Sequence, residues 1–251
     1  MKKVAIIGYG TVGKAMHKIF PEAYIFDLDR GSKSEVNNCQ LAIICVPTPM
    51  KETGKEFPEV DTSQVEEVLS WLETPLKLIK STVPPGFSEK YGVCFSPEYI
   101  GESQYQITPW KYMDKNDPRL HEFMIIGGTG ADEIANIFLK RLGPEKTYYL
   151  VSSTEAEIIK YMENSYFAMK IIWATEFHEL CKKLGASYIK CREGWALDNR
   201  VDKMHTAVFE DEKGFGGKCY PKDVNGIVSF SDSIGVDLSI LKATLRKNRT
   251  L

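Results

Sequence analysis

Six residues, Gly8-Tyr9-Gly10-Thr11-Val12-Gly13, constrain this chain more than any others. They follow an apolar run at 3–7 and open a stretch of helical character that reaches about Phe20. In a G-x-G-x-x-G turn between strand and helix, the first glycine makes the tight turn. The second lets the backbone approach a pyrophosphate, and the third lets the helix pack on the strand. The helix N-terminus then presents unpaired N–H groups to phosphate oxygens. A second strand at 23–28 carries Asp27, 19 residues after Gly8. A carboxylate there binds the ribose hydroxyls of the adenosine and repels a 2′-phosphate. The segment therefore reads as an NAD site, with Gly8, Tyr9, Gly10, Thr11, Val12, Gly13 and Asp27 as cofactor-binding residues.

The pattern continues downstream. Residues 41–46 form a buried apolar strand broken by Pro47 and Pro49, and Asp61-Thr62-Ser63 is an N-cap signal for a helix through Leu72. Further strands are expected at 76–80, 93–95 and 123–126, and a helix over 131–142 stops at Gly143-Pro144. Strands alternating with helices predict an α/β class with a mostly parallel, Rossmann-type sheet over residues 1–150. From Ser153 the texture changes. Residues 154–184 contain neither Gly nor Pro, Gly185 follows as a stop, and Ile158, Ile159, Met162, Phe167, Ile171, Ile172 and Leu180 keep helical spacing. A helix of roughly 45 Å exceeds what a small domain needs, so it is expected to cross a domain junction or a dimer interface. A small, mainly helical domain over 151–251 completes the expected architecture.

Composition removes several classes. The 251 residues carry a formal net charge of −2, which gives no electrostatic case for nucleic acid or an anionic membrane as partner. No apolar run has the length of a membrane span, and the N-terminus enters a strand at once, so a cytoplasmic protein is expected. The six cysteines show no C-x-x-C pair and no histidine at ligand spacing, which argues against a metal site or a disulfide framework. Cys45, inside an apolar run, reads as core.

One cysteine has a different setting: Gly214-Phe215-Gly216-Gly217-Lys218-Cys219-Tyr220-Pro221-Lys222-Asp223. Glycines just before a thiol let the loop approach a ligand closely, and a nearby cation favours the reactive thiolate. A turn around a buried cysteine would produce the same residues. With the N-terminal half, however, the sequence resembles the UDP-glucose/GDP-mannose dehydrogenase family along nearly its whole length. GFGGKCYPKD is similar to the family's cysteine motif. Val46-Pro47-Thr48-Pro49, Ser81-Thr82-Val83-Pro84-Pro85-Gly86 and Ser96-Pro97-Glu98-Tyr99-Ile100-Gly101-Glu102 are similar to its strand-end loops. Residues 156–164 match the start of its long central helix, and Asp198-Asn199-Arg200-Val201 resembles its Asp-x-Arg-Ile segment.

The resemblance implies an NAD-dependent enzyme that oxidises a sugar C6 alcohol to a carboxylate in two hydride transfers. Cys219 would hold the aldehyde as a thiohemiacetal and then as a thioester. Lys160 and Asn164, one helical turn apart, would stabilise the developing oxyanion. Glu98 would serve as base for hydrolysis or position the water, with Asp223 and Thr82 holding that water. Thr48, Glu102 and Lys222 would line the cofactor. Arg200 would reach the substrate of a neighbouring subunit, and Glu98, Lys160, Asn164 and Gly216 would complete the substrate site. A nucleotide sugar is the implied substrate and a homodimer through the 154–184 helix the implied assembly.

Departures from the family pattern stand at Ile100 and Gly101, and 107–121 reads as irregular. Family members carry a second Rossmann-like domain that holds the substrate's nucleotide. With the sequence ending at Leu251, a short form lacking it is expected. Two other readings stay open on the residues alone. One is a single-hydride β-hydroxyacid-type dehydrogenase, which leaves GFGGKCYPKD unexplained; the other is a non-catalytic NAD-binding protein.

Overall fold

The structure is a computed structural model and describes residues 3–51, 54–100 and 117–251. Glu102 and most of the irregular 107–121 segment lie outside the described residues. The chain divides into two compact units, residues 1–54 with 58–160, and residues 55–57 with 161–251.

In the first unit, seven strands among the described residues form one sheet in the order β2-β1-β3-β4-β5-β6-β7. They are β1 (Val4–Ile7), β2 (Tyr24–Phe26), β3 (Leu41–Ile44), β4 (Leu76–Ile79), β5 (Cys94–Phe95), β6 (Phe123–Gly127) and β7 (Thr147–Val151). Every pairing is parallel except that of β5 with β6. The continuous apolar quartets VAII and LAII follow from a sheet covered on both faces. Val4, Ile6, Leu41, Ile43 and Leu78 point to one face, under Met16, Ile19, Ile134 and Phe138 of α1 (Thr11–Ile19) and α5 (Ala131–Leu142). Ala5, Ile7, Ala42, Ile44 and Ile79 point to the other. There α2 (Lys33–Asn37), α3 (Ser63–Trp71) and α4 (Phe87–Lys90) supply Val36, Val65, Val68 and Phe87. Each fully buried Ile, Leu or Phe contributes about 1.5–3 kcal/mol, which makes this two-sided core the main support of the unit.

The order also says where a ligand belongs. The chain leaves β1 toward β2 on one side, while β3 pairs on the other, so the topological switch point lies at the C-terminal ends of β1 and β3. Gly8 and Val46 stand there.

The long helix α6 runs from Ser153 to Leu184 and stops where Gly185 turns left-handed at φ +66°. Ala186 N–H closes its end on the Cys181 carbonyl at 2.9 Å, as a glycine C-cap should. The second unit contains most of α6, with α7 (Tyr188–Trp195), α8 (Tyr220–Ser233) and α9 (Ser239–Asn248). Phe57, Ala168, Ile172, Phe215, Val224, Val228 and Leu245 form its core. No helix among the described residues is long and apolar enough to cross a membrane.

Candidate active site

The turn after β1 divides its glycines by task. Gly8 sits at φ +88°, and a Cβ there would lie 2.8 Å from the Cys45 carbonyl carbon. A Cβ on Gly13 would lie 2.0 Å from the Gly8 carbonyl oxygen, so only glycine lets α1 approach β1 this closely. Gly10 has an ordinary φ of −74° and nothing within 4 Å of where its Cβ would stand. That open space, at a helix start with no side-chain cap and no acidic residue in its first turn, is a cradle for an anion. Asp27 closes the far side: its carboxylate accepts Tyr9 N–H at 2.7 Å and Leu28 N–H at 2.8 Å. These residues could hold a dinucleotide, with the open N-terminus of α1 for a phosphate and Asp27 for a ribose hydroxyl.

The strand-end loops of the same unit carry further expected residues. Thr48 is buried and Thr82 half-buried. The Ser81-to-Gly86 loop is held at both ends. Ser81 Oγ donates to the Val46 carbonyl at 2.6 Å. At the other end Glu157, fully buried on α6, accepts Gly86 N–H at 2.6 Å and Ser88 N–H at 2.8 Å. Burial outweighs these two bonds and pushes the Glu157 carboxyl above the usual carboxylate range. Three residues on, Lys160 is buried and its ammonium donates to the main-chain carbonyl of Glu98. Glu98 thus meets Lys160 through its backbone. Its carboxylate turns to Tyr99 N–H at 2.7 Å, Ile100 N–H at 2.8 Å and the Lys80 ammonium at 3.6 Å.

In the second unit, Cys219 caps the N-terminus of α8 and is half-buried. Its carbonyl accepts Asp223 N–H at 2.8 Å, the first turn of the helix. Pro221 stands in that first turn, where its missing N–H costs nothing. Asp223 is 2% exposed, and both of its oxygens are engaged. Asn164 Nδ2 donates to one and Lys222 Nζ to the other, each at 2.6 Å. A buried carboxylate tolerates this environment only because an amide and a cation satisfy it. Asn164, Lys222 and Asp223 therefore form one cluster a helical turn from the thiol. Gly216 is exposed, with nothing within 4 Å of a Cβ position. Arg200, with an 88% exposed side chain, bonds to Asp198 through Nε at 3.0 Å and Nη2 at 2.6 Å.

Burial pushes the Cys39 and Cys45 thiols up and Cys94 to about 11, which suits cysteines used as packing.

Three supports have no local sequence signal. Asn248, on α9, clamps the cysteine loop, with Oδ1 accepting Phe215 N–H at 2.7 Å and Nδ2 donating to the Phe215 carbonyl at 3.0 Å. His205, at φ +61°, stacks on Phe167 with centroids 4.1 Å apart and pairs with the Tyr220 hydroxyl at 2.9 Å. Burial pulls its imidazole down to about 4, so the ring that shares this bond is neutral. Lys80 is the third. The expected pairing of sequence neighbours Lys160 and Asn164 offered no hint that one would meet Glu98 and the other Asp223.

The parallel sheet, the glycine turn and the long helix define the class, an α/β protein with the fold of nucleotide-sugar dehydrogenases. The UDP-glucose dehydrogenase of Pyrobaculum islandicum superposes with a TM-score of 0.80 at 23% identity, over 100% of this chain and 68% of that one. The UDP-D-ManNAc dehydrogenase of Pyrococcus horikoshii gives 0.76 at 21% identity, over 98% and 68%. Residues 154–250 match the sequence model of the UDP-glucose/GDP-mannose dehydrogenase family, central domain. Over 236 residues the chain is 30% identical to the UDP-glucose 6-dehydrogenase of Rickettsia bellii, covering 86% of this chain and 50% of that protein. The UDP-glucose 6-dehydrogenase YwqF of Bacillus subtilis is 25% identical over 224 residues, covering 83% and 48%. The chain is thus similar to the UDP-glucose/GDP-mannose dehydrogenases, most specifically to that family's central domain over residues 154–250, and it spans about half the length of the curated relatives it matches.

Proposed function

We propose that the chain provides the cofactor-binding and covalent-catalysis parts of an NAD-dependent nucleotide-sugar 6-dehydrogenase of the UDP-glucose type. Residues 1–150 bind the cofactor and 151–251 carry the cysteine loop. The observation that carries the reading is the Asn164–Asp223–Lys222 cluster one turn after Cys219. A structural thiol at a helix start needs no such arrangement.

Gly8, Tyr9, Gly10, Thr11, Val12, Gly13 and Asp27 would hold the dinucleotide, with Thr48, Glu102 and Lys222 lining it. Bound NAD+ supplies the acceptor for hydride. The chain's residues do the rest. The Cys219 thiolate adds to the carbon of the first product, an aldehyde, and forms a thiohemiacetal that cannot diffuse away. Lys160 and Asn164 donate to the oxygen as it becomes anionic, worth about 3–4 kcal/mol per donor at such positions elsewhere. Loss of the hydroxyl proton and of a second hydride, for which a second NAD+ would be the acceptor, leaves a thioester on Cys219. Water, held by Asp223 and Thr82 and activated or positioned by Glu98, attacks the carbonyl carbon. The thiolate leaves, and the carboxylic acid is released. Arg200, exposed and held in the open by Asp198, is suited to reach a neighbouring subunit's substrate beside Gly216.

The assembly we infer is a homodimer through α6. Met162, Tyr166, Trp173, Phe177, Leu180 and Leu184 recur at helical spacing and are all exposed, from 38% at Trp173 to 72% at Leu184. Such a stripe seeks a partner surface. A cytoplasmic location, where thiols stay reduced, goes with this reading.

The test mixes the protein with NAD+ and a panel of UDP- and GDP-sugars, counts NADH and weighs the intact chain. The expected result is two NADH per uronate and a sugar adduct on Cys219, both lost in Cys219→Ala. A Cys219→Ala protein that releases both hydrides at the normal rate refutes the covalent route.

A further inference from the structure

Lys80 belongs to no part of the chemistry above, yet it is one of the most enclosed charges in the first unit. It follows β4 directly, and its N–H bonds to the Ile44 carbonyl at 2.9 Å, so its backbone is fixed by the sheet. Its ammonium turns across to the loop after the neighbouring β5. There it donates to the Pro97 carbonyl at 2.7 Å and to Ser96 Oγ at 3.3 Å, and stands 3.6 Å from Glu98 Oε2. The two side chains are 6% and 12% exposed. Glu98 Oε2 accepts no hydrogen bond among the described residues, so the Lys80 cation is its nearest compensation. The other oxygen, Oε1, takes the N–H groups of Tyr99 and Ile100.

Removing one partner of a buried ion pair is costly because the other charge is left uncompensated, and the segment must move to solvate it. Here the segment is 96–100, and what it presents outward is the Glu98 carbonyl that receives the Lys160 ammonium. We propose that Lys80 is a positioning residue for Lys160. By pinning Pro97 and the Glu98 carboxylate, it fixes the Glu98 carbonyl as the acceptor that aims the Lys160 ammonium. Glu98 then contributes from its main chain as well as through any role of its carboxylate in hydrolysis. The catalytic consequence rests on the role proposed above for Lys160; the geometry does not.

The test reads Lys160 directly and needs no substrate. The full chain is pulsed with acetic anhydride, and acetylation of Lys160 is followed by peptide mass spectrometry. Lys170, buried and paired with Asp202 at 2.9 Å in the other unit, serves as an internal control for reagent dose. Lys80→Met and Glu98→Gln are each expected to raise the Lys160 rate by about fivefold, the scale of one lost hydrogen bond, with Lys170 unchanged. Because both act through one contact, the double variant should label no faster than the faster single variant. Should Lys80→Met unfold the first unit, thermal melting will show it, and Glu98→Gln alone then decides. Unchanged Lys160 labelling in Glu98→Gln with Lys170 protected overturns the proposal, as does a double variant in which the two effects multiply. Absence of turnover with UDP-glucose and NAD+ in the unmodified protein would count against the proposed function and leave this outcome readable. Where turnover is found, Lys80→Met should lower kcat and leave NAD+ affinity unchanged.

Discussion

Two glycine-rich loops in this chain each launch a helix, and they use glycine in opposite ways. In the turn before α1, Gly8 and Gly13 are dictated from within, because backbone atoms occupy the space a Cβ would need. In the loop before α8, Gly216 and Gly217 face open space, and only Gly214 is crowded, by the Asn248 side chain at 2.4 Å. The first loop is fixed by main chain, its own and that of Cys45 after β3, and the second by a side chain 33 residues away. A backbone-made site suits a ligand whose phosphates need fixed N–H groups, whereas the cysteine loop takes its hold from the side chains of Asn248 and His205.

That contrast can be broken at several points, the first with the largest effect. Gly13→Ala puts a methyl 2.0 Å from a carbonyl oxygen, so thermal melting should show a loss of about 3 kcal/mol or more. An unchanged Tm would mean α1 can slide off β1, and the turn is not self-determined. Acid should act on the other loop. The folded His205 titrates at about 4 against an ordinary 6.5, so the unfolded chain binds the extra proton between those values. This group's contribution to stability is therefore complete above pH 6.5 and lost as pH falls toward 4, on the order of 3 kcal/mol in all. His205→Asn, which tolerates the left-handed backbone, should flatten that part of the pH–stability curve; an identical slope would exclude His205 as its source.

Asn248→Ala removes both bonds to Phe215, with an expected cost of about 1–2 kcal/mol and faster amide exchange at Phe215. Exchange that does not change would show the loop holds itself. The smallest effect on stability is expected from Gly10→Ala, within about 0.5 kcal/mol, since the added methyl meets nothing. The same methyl should fill the anion cradle and weaken NAD+ binding by calorimetry at least tenfold, about 1.4 kcal/mol. Undiminished binding would place the pyrophosphate elsewhere.

How far the sequence could be read follows the same division. The quartets VAII and LAII announce two-sided strands, and the expected 131–142 helix stands as Ala131–Leu142. β7 carries no strand signal, because TYYLV is a half-exposed edge strand with no clean alternation. α8 was hidden by its own motif, since Pro221 and Gly226 look like loop residues until the proline is seen to occupy the first turn. α2 and α7 are too short or too polar to carry a periodic signal. The N-cap signal at 61–63 is shared differently from its usual form. Thr62 holds the N-cap position, but its side chain makes no cap bond, and the Asp61 side chain accepts Ser63 N–H at 3.0 Å. Asp223 and Asn164 could be named as site residues, but not as each other's partner, because 59 residues separate them.

The fastening of the loop between Ser81 and Gly86 has a consequence for variation. Ser81 is tied to the end of β3, and Gly86 and Ser88 to the Glu157 carboxylate, so the number of residues spanning that gap is set from outside it. An extra residue could not be taken up as harmless slack. It would push Thr82 out of register or tear a buried carboxylate from its two amides. Relatives that keep an acid at position 157 should therefore vary this segment by substitution and hardly ever by length.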